Sequence, residues 1–223
     1  MNLLLKNLLF TIFLLASSAG LIYWIEAEKE IEILCSMFSE GQSKDYVFST
    51  LETANLLNVD NQTGTDSDSL YFSSSFNMGS TDCAVIFNES NLVADSDYTR
   101  HFHLTGMLTI LALILSGFMA LFQLLLFLGL PLGHFAWGGE YKILPDKLRY
   151  GSAFSSLLFV FILLLLWTEA ANRPLLPQAY PFLGFLFLIS SYLNANSRSK
   201  KEKWLGIPVA VLLYLCFLSL AML

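Results

Sequence analysis

Apolar residues fall in five long runs. Residues 8–25, 104–130, 152–167, 180–193 and 204–223 contain no Asp, Glu, Lys or Arg. A helix of roughly 20 apolar residues crosses the ~30 Å hydrocarbon layer of a bilayer. The second run is long enough to tilt or to extend past the membrane. The third and fourth are short and must borrow flanking residues or thin the bilayer locally. The pattern predicts five transmembrane helices: an N-terminal anchor over residues 1–25 and a four-helix transmembrane domain over residues 104–223.

Between them lies the one long polar stretch, residues 26–103, and its periodicity changes along its length. Ile31, Leu34, Cys35 and Phe38 fall at i, i+3, i+4 and i+7, one face of a helix. Residues 39–43 break it, and Ser43 is placed to cap a second helix with Asp45 in its first turn. Val47, Thr50, Leu51 and Ala54 share a face of that helix. Residues 61–69 hold no apolar side chain and read as a flexible loop. The period then becomes two. Leu70, Phe72 and Phe76 alternate with Tyr71, Ser73 and Ser75, and Cys83, Val85 and Phe87 alternate with Ala84 and Ile86. A turn at residues 88–91 leads into a return strand from Leu92. The expected fold is therefore a mainly α membrane protein with a small α+β domain over residues 26–103, ordered helix, helix, three-stranded antiparallel sheet.

Hydrophobic residues make up 55% of the chain, above the share usual for a soluble globular domain. The net charge of −6 conceals an asymmetry. Residues 26–103 hold 14 acidic side chains against Lys29, Lys44 and Arg100, a net of −11, whereas the remainder nets +5. An acidic exposed domain repels phosphate, so nucleic acid is excluded as a partner. The short connection 131–151 carries Lys142, Lys147 and Arg149, and 196–203 carries Arg198, Lys200, Lys201 and Lys203. Excess Lys and Arg mark cytoplasmic loops. This orientation places the N-terminus in the cytoplasm and both residues 26–103 and the C-terminus outside it. Ser17, Ser18 and Ala19 offer a signal-cleavage pattern, but the apolar run continues through Ile25, with Tyr23 and Trp24 at interfacial positions, which predicts an uncleaved anchor. With its compact loops the chain reads as a bacterial inner-membrane protein.

Cys35 and Cys83 then lie in an oxidising compartment on apolar faces, and a disulfide between them is expected. In the chain-entropy model, closing a loop of about 50 residues is worth ~4 kcal/mol. A reactive thiol pair is instead typically close in sequence, often Cys-x-x-Cys. Cys216 sits in an apolar run and reads as a small packed hydrophobe.

The order helix, turn with Gly41, Gln42, Ser43 and Lys44, helix with Val47 and Leu51, then a meander through Val85, Ile86, Phe87, Asn88 and Val93 resembles the SmpA/BamE type of small envelope-assembly lipoprotein. The resemblance covers residues 31–96 and implies a small α/β binding module. That family is anchored by a lipidated cysteine after its signal peptide. No cysteine stands near residue 20, so its outer-membrane assembly role is not carried over. Residues 101–223 resemble bacterial multi-span membrane proteins of unassigned function. The likeness rests on the glycine-rich turn of residues 129–139 and on Asn194, Ser197, Ser199 and Glu202 before the last run.

Candidate chemistry is sparse. The glycine-rich turn, with Gly133, His134, Trp137, Gly138 and Gly139, and with Lys142, Lys147 and Arg149 nearby, is a candidate site for a lipid headgroup or small ligand. It lacks the Lys-Ser/Thr ending of a P-loop. His101 and His103 would point the same way on a strand, near Asp95 and Asp97, but no third and fourth ligand is evident and no metal site is assigned. Gln123, Asn194 and Asn196 read as polar glue between helices, and the runs hold almost no ionisable residue that would mark a transport path. No catalytic residue and no cofactor is assigned. The expected function is a non-enzymatic scaffold or accessory subunit of an envelope complex, with membrane lipid and a protein as partners. The alternative is a small transporter or lipid-handling protein using the glycine-rich turn.

Overall fold

A computed structural model describes residues 3–63, 68–171 and 173–222. The chain divides into two compact units: Ala19–His103, and Met1–Ser18 with Leu104–Leu223. The first helix, α1 (Leu3–Met37), contributes to both without a break. No proline interrupts it, and 35 residues at 1.5 Å each reach about 52 Å, well beyond ~30 Å of hydrocarbon. Its apolar stretch ends at Ile25 and its last turns carry Glu26, Glu28, Lys29, Glu30 and Glu32.

In the unit Ala19–His103, α1 is followed by α2 (Lys44–Leu51) and four strands, β1 (Asn58–Thr63), β2 (Asp68–Ser73), β3 (Thr81–Phe87) and β4 (Val93–Arg100). All neighbours are antiparallel and the order is β1-β2-β3-β4. The Ser43 hydroxyl caps α2 by accepting from the Tyr46 N–H. One core unites the end of α1, α2 and strands β2–β4: Ile31, Leu34 and Cys35 of α1 with Phe38 just after it, Val47 and Leu51 of α2, and Leu70, Phe72, Cys83, Val85, Phe87 and Val93 of the sheet. Along β3 every second residue is buried, as the period of two requires. The Cys35–Cys83 disulfide joins helix to sheet with the two Cα atoms 5.8 Å apart.

The sheet has four strands rather than three. Residues 61–63 and 68–69, expected to be loop, are paired strand, and residues 64–67 of that expectation lie outside the described residues. β1 carries a single apolar side chain, Val59. It is an edge strand held by backbone bonds to β2, and a backbone ladder leaves no mark in the side-chain pattern.

The other unit contains the start of α1, then α3 (Leu104–Phe127), α4 (Asp146–Ala170), α5 (Ala179–Asn196) and α6 (Lys200–Ala221). α3 packs on α4, and α5 on α6. Among the described residues four helices are long and apolar enough to cross a membrane, as an integral membrane protein requires: Leu4–Met37, Leu104–Phe127, Asp146–Ala170 and Lys200–Ala221. The fifth expected span corresponds to α5, which has 18 residues and is diluted by Tyr180, Pro181, Tyr192, Asn194 and Asn196. α3 ends before the expected Leu130. Gly129 adopts φ +86°, the Leu130 N–H donates to the Leu125 carbonyl and the Gly129 N–H to the Leu126 carbonyl. This left-handed cap closes the helix two residues ahead of Pro131.

Side-chain hydrogen bonds cross between helices of this unit. Thr11 Oγ1 and Tyr192 Oη share one at 2.6 Å, and Ser18 Oγ and Tyr214 Oη one at 2.8 Å. The Ser156 hydroxyl donates to the Ala120 carbonyl at 2.9 Å, and Asn194 Nδ2 to the Gly206 carbonyl at 3.2 Å. Asn194 thus acts as the expected glue, whereas the Asn196 amide bonds only back to Tyr192 on its own helix.

Candidate functional site: a cavity bordered by the glycine-rich turn

After α3 the chain forms two short 3-10 turns, Gly133–Phe135 and Trp137–Gly139, before α4 begins. Gly133 is buried and its N–H donates to the Lys142 carbonyl, so the loop is folded back on itself. The Trp137 indole N–H donates to the Ser152 hydroxyl at 3.0 Å, tying the turn to α4.

The second tie runs to the start of α6. The Gly138 N–H donates to Glu202 Oε2 at 3.0 Å, and the Ser197 hydroxyl donates to the same oxygen. The Ser199 hydroxyl donates to the His134 carbonyl at 2.8 Å and accepts from the Glu202 N–H, which makes Ser199 the N-cap of α6. Gly139 has φ +72°, and a Cβ there would stand 2.4 Å from the Ser199 Cβ. Only glycine gives both the backbone angle and the clearance. The two segments that set the membrane part apart in sequence, residues 129–139 and 194–202, therefore form one hydrogen-bonded lock.

Behind the lock is a cavity of about 490 Å³. α3 supplies Met119, Phe122 and Gln123, and α4 supplies Ser155 and Phe159. α5 supplies Phe187, Ser190, Leu193 and Asn194, and α6 supplies Glu202, Leu205, Gly206, Val209, Ala210 and Leu213. Phe135, Ala136 and Trp137 of the turn complete the wall. The polar members cluster where α3 and α5 end and α4 and α6 begin, and the deeper wall is aromatic and aliphatic. Gln123 Oε1 is buried with no hydrogen-bond partner among the described residues. A buried acceptor left without a donor costs about 1–3 kcal/mol. Gln123 is also the polar side chain that α3 contributes to the cavity wall.

The remaining residues of the candidate turn site take other places. Lys142 and Lys147 are exposed and line none of this cavity. The half-buried Arg149 donates from Nε to the Phe127 carbonyl at 2.7 Å and lies near Asp146, bracing the end of α3. His134 contributes mainly its backbone, with Nδ1 3.4 Å from the Gly139 carbonyl. Of the expected site, the turn itself reaches the cavity and its cations do not. The sequence reading assigned no ligand role to Gln123 and Glu202. Two signals pointed to them: a lone amide in a charge-free run, and the Ser-x-x-Glu spacing of a helix-capping box at Ser199 and Glu202.

Outside this cavity, several ionisable groups pair with one another. Arg100 of β4 meets Glu28 at 2.9 Å, Glu32 at 3.2 Å and the Tyr98 phenol at 3.2 Å. Its Nη1 lies 3.4 Å from His103 Nδ1. Burial raises the Tyr98 pKa above its ordinary value, although the Arg100 guanidinium works against this, so the phenol stays protonated and accepts from Arg100. His101 pairs with Asp82. Among the described residues no group of three His, Cys, Asp or Glu side chains is placed to hold a metal ion. The cysteines that could act as a thiol pair are joined in the disulfide, and Cys216 is buried among apolar side chains.

Compared with known protein families, curated proteins and solved structures, the chain matches none of them.

Proposed function

We propose that this chain is an integral protein of a bacterial inner membrane that binds a small amphipathic molecule in its helical unit. α5 serves as a fifth span, and the basic connections face the cytoplasm. Residues 26–103 and the C-terminus are extracytoplasmic. The observation that carries the reading is the cavity of about 490 Å³ with polar groups at one end, apolar walls beyond, and an unsatisfied Gln123 acceptor. A site of this size and composition suits a ligand with one polar end. Among the described residues no ionisable side chain but Glu202 lines it, which favours holding or passing a lipid-like molecule over conducting ions. Native mass spectrometry from a mild detergent tests this. The wild-type protein is expected to carry a lipid-sized adduct, and Ala210→Phe, which fills the cavity, is expected to lose it. Equal adducts on both, with both proteins folded, would reject the reading.

A second reading concerns the extracytoplasmic module of residues 26–103. Its helix-helix-sheet order supports a small envelope binding module similar to the SmpA/BamE type, acting as a scaffold or accessory element. Its net of −11 favours a partner with a basic patch. Capture of a stoichiometric partner that weakens as salt is raised supports this role, and salt-independent capture removes its electrostatic basis.

A further inference from the structure

Resting on the ligand-binding reading above, we propose that the cavity selects an amphipath whose head is a hydrogen-bond donor carrying positive charge, a primary ammonium, rather than a phosphate. The polar end of the cavity is rich in acceptors. Gln123 Oε1 is buried and unpartnered. Glu202 uses Oε2 for the lock with Gly138 and Ser197, and among the described residues no hydrogen bond engages its Oε1. Asn194 spends its donor on Ser190 and Gly206, leaving its carbonyl oxygen as an acceptor. The Ser155 hydroxyl makes no hydrogen bond among the described residues and can act either way.

An anionic head would meet the Glu202 carboxylate and carbonyl-type oxygens with no cation to offset them. Among the described residues no Lys or Arg lines the cavity. Arg198, Lys200 and Lys201 are exposed, Lys203 lines none of it, and the Lys201 ammonium lies over the Phe135 ring at 5.6 Å. An ammonium has three donors and no acceptor, the complement of this set. Its bond to a carboxylate is charge-assisted and the strongest the site can offer.

The apolar remainder of such a ligand also has a place. A second, almost wholly apolar groove of about 320 Å³, lined by Phe118, Leu121, Phe122, Leu125, Leu132, Phe135 and Leu205, shares Phe122, Phe135 and Leu205 with the cavity. A head among Gln123, Asn194 and Glu202 would leave its chain running past these shared side chains.

The test is competitive binding to the full-length protein in maltoside micelles. It is read by native mass spectrometry with phosphatidylethanolamine, phosphatidylglycerol, diacylglycerol, dodecylammonium and dodecanol as probes. Ammonium-bearing probes are expected to bind at least about tenfold more tightly than their anionic or neutral counterparts. Glu202→Gln retains an acceptor for the lock and is expected to abolish that preference. Gln123→Leu, which disturbs no hydrogen bond of the lock, is expected to weaken ammonium binding about threefold. Preference confined to phosphatidylethanolamine supports a lipid headgroup as the source, and preference shared by dodecylammonium supports the amine itself. If Ala210→Phe removes binding but phosphatidylglycerol competes as well as phosphatidylethanolamine, the charge selection is wrong and the cavity reading stands. If Ala210→Phe changes no probe, both fall.

Discussion

The two units solve the same packing problem by different means. In Ala19–His103 a helical segment, α2 and three strands bury one shared apolar core, and a disulfide crosses its centre. A unit of this size in water draws stability from removing apolar surface and needs a covalent brace. The helices of the other unit are apolar on their outer faces as well, with Leu157, Phe154 and Trp167 largely exposed. Lipid rewards the burial of such side chains very little, so close packing and bonds between helices carry the association. Thr11 with Tyr192, Ser18 with Tyr214, Ser156 with Ala120 and Asn194 with Gly206 are among those bonds. A few strong, central features hold the first unit; many small, distributed ones hold the second.

The largest test of this contrast is the Cys35→Ser, Cys83→Ser pair. It is expected to destabilise the sheet unit by ~4 kcal/mol, seen as accelerated hydrogen exchange in β2–β4. Unchanged exchange there would break the comparison. Arg100→Met comes next. It strands the buried Glu28 carboxylate, and a loss of roughly 3 kcal/mol is expected, discounted because Arg100 is partly solvated. Exchange in β4 and around Glu28 measures it. In the other unit, Gly139→Ala forces a side chain into a left-handed angle and against Ser199. A cost of about 2 kcal/mol is expected, read as a lower Tm and as faster proteolysis between α3 and α4. The smallest effect is Tyr192→Phe, which removes the hydroxyl shared with Thr11. Double-mutant cycles with Thr11→Val are expected to give only about 0.6 kcal/mol. A coupling several times larger would mean that single polar contacts dominate the helical unit, and the contrast would collapse.

Legibility in the sequence followed the physical origin of each feature. The Ile31, Leu34, Cys35 and Phe38 stripe and the alternation in β3 were readable because burial imposes a period on side chains. The Cys35–Cys83 bridge was readable because both cysteines fell on those periodic faces. β1 was not, because an edge strand of Asn58–Thr63 is held through backbone groups that every residue carries. α5 reads as a span from its charge-free centre, but its short length and polar ends keep it below the other four helices in apolar character. At the candidate site the glycines of the turn were visible and their purpose was not. Lys142, Lys147 and Arg149 drew attention as the nearest charges in sequence, yet the cavity is lined by Gln123, Asn194 and Glu202.

By itself the sequence determined where the chain is apolar enough for a membrane, where its charge lies, and which faces form the small α+β core. These are properties of single segments, set by local hydrophobicity and by the periods of helix and strand. Only the tertiary structure decided that the glycine-rich turn closes on the N-cap of α6, that Glu202 is shared between that lock and a cavity, and that the cations of the loop stand apart. Such contacts join residues about 65 positions apart, as Gly138 does with Glu202, through single hydrogen bonds and a clearance that only glycine permits. Neither leaves any periodic trace in the chain.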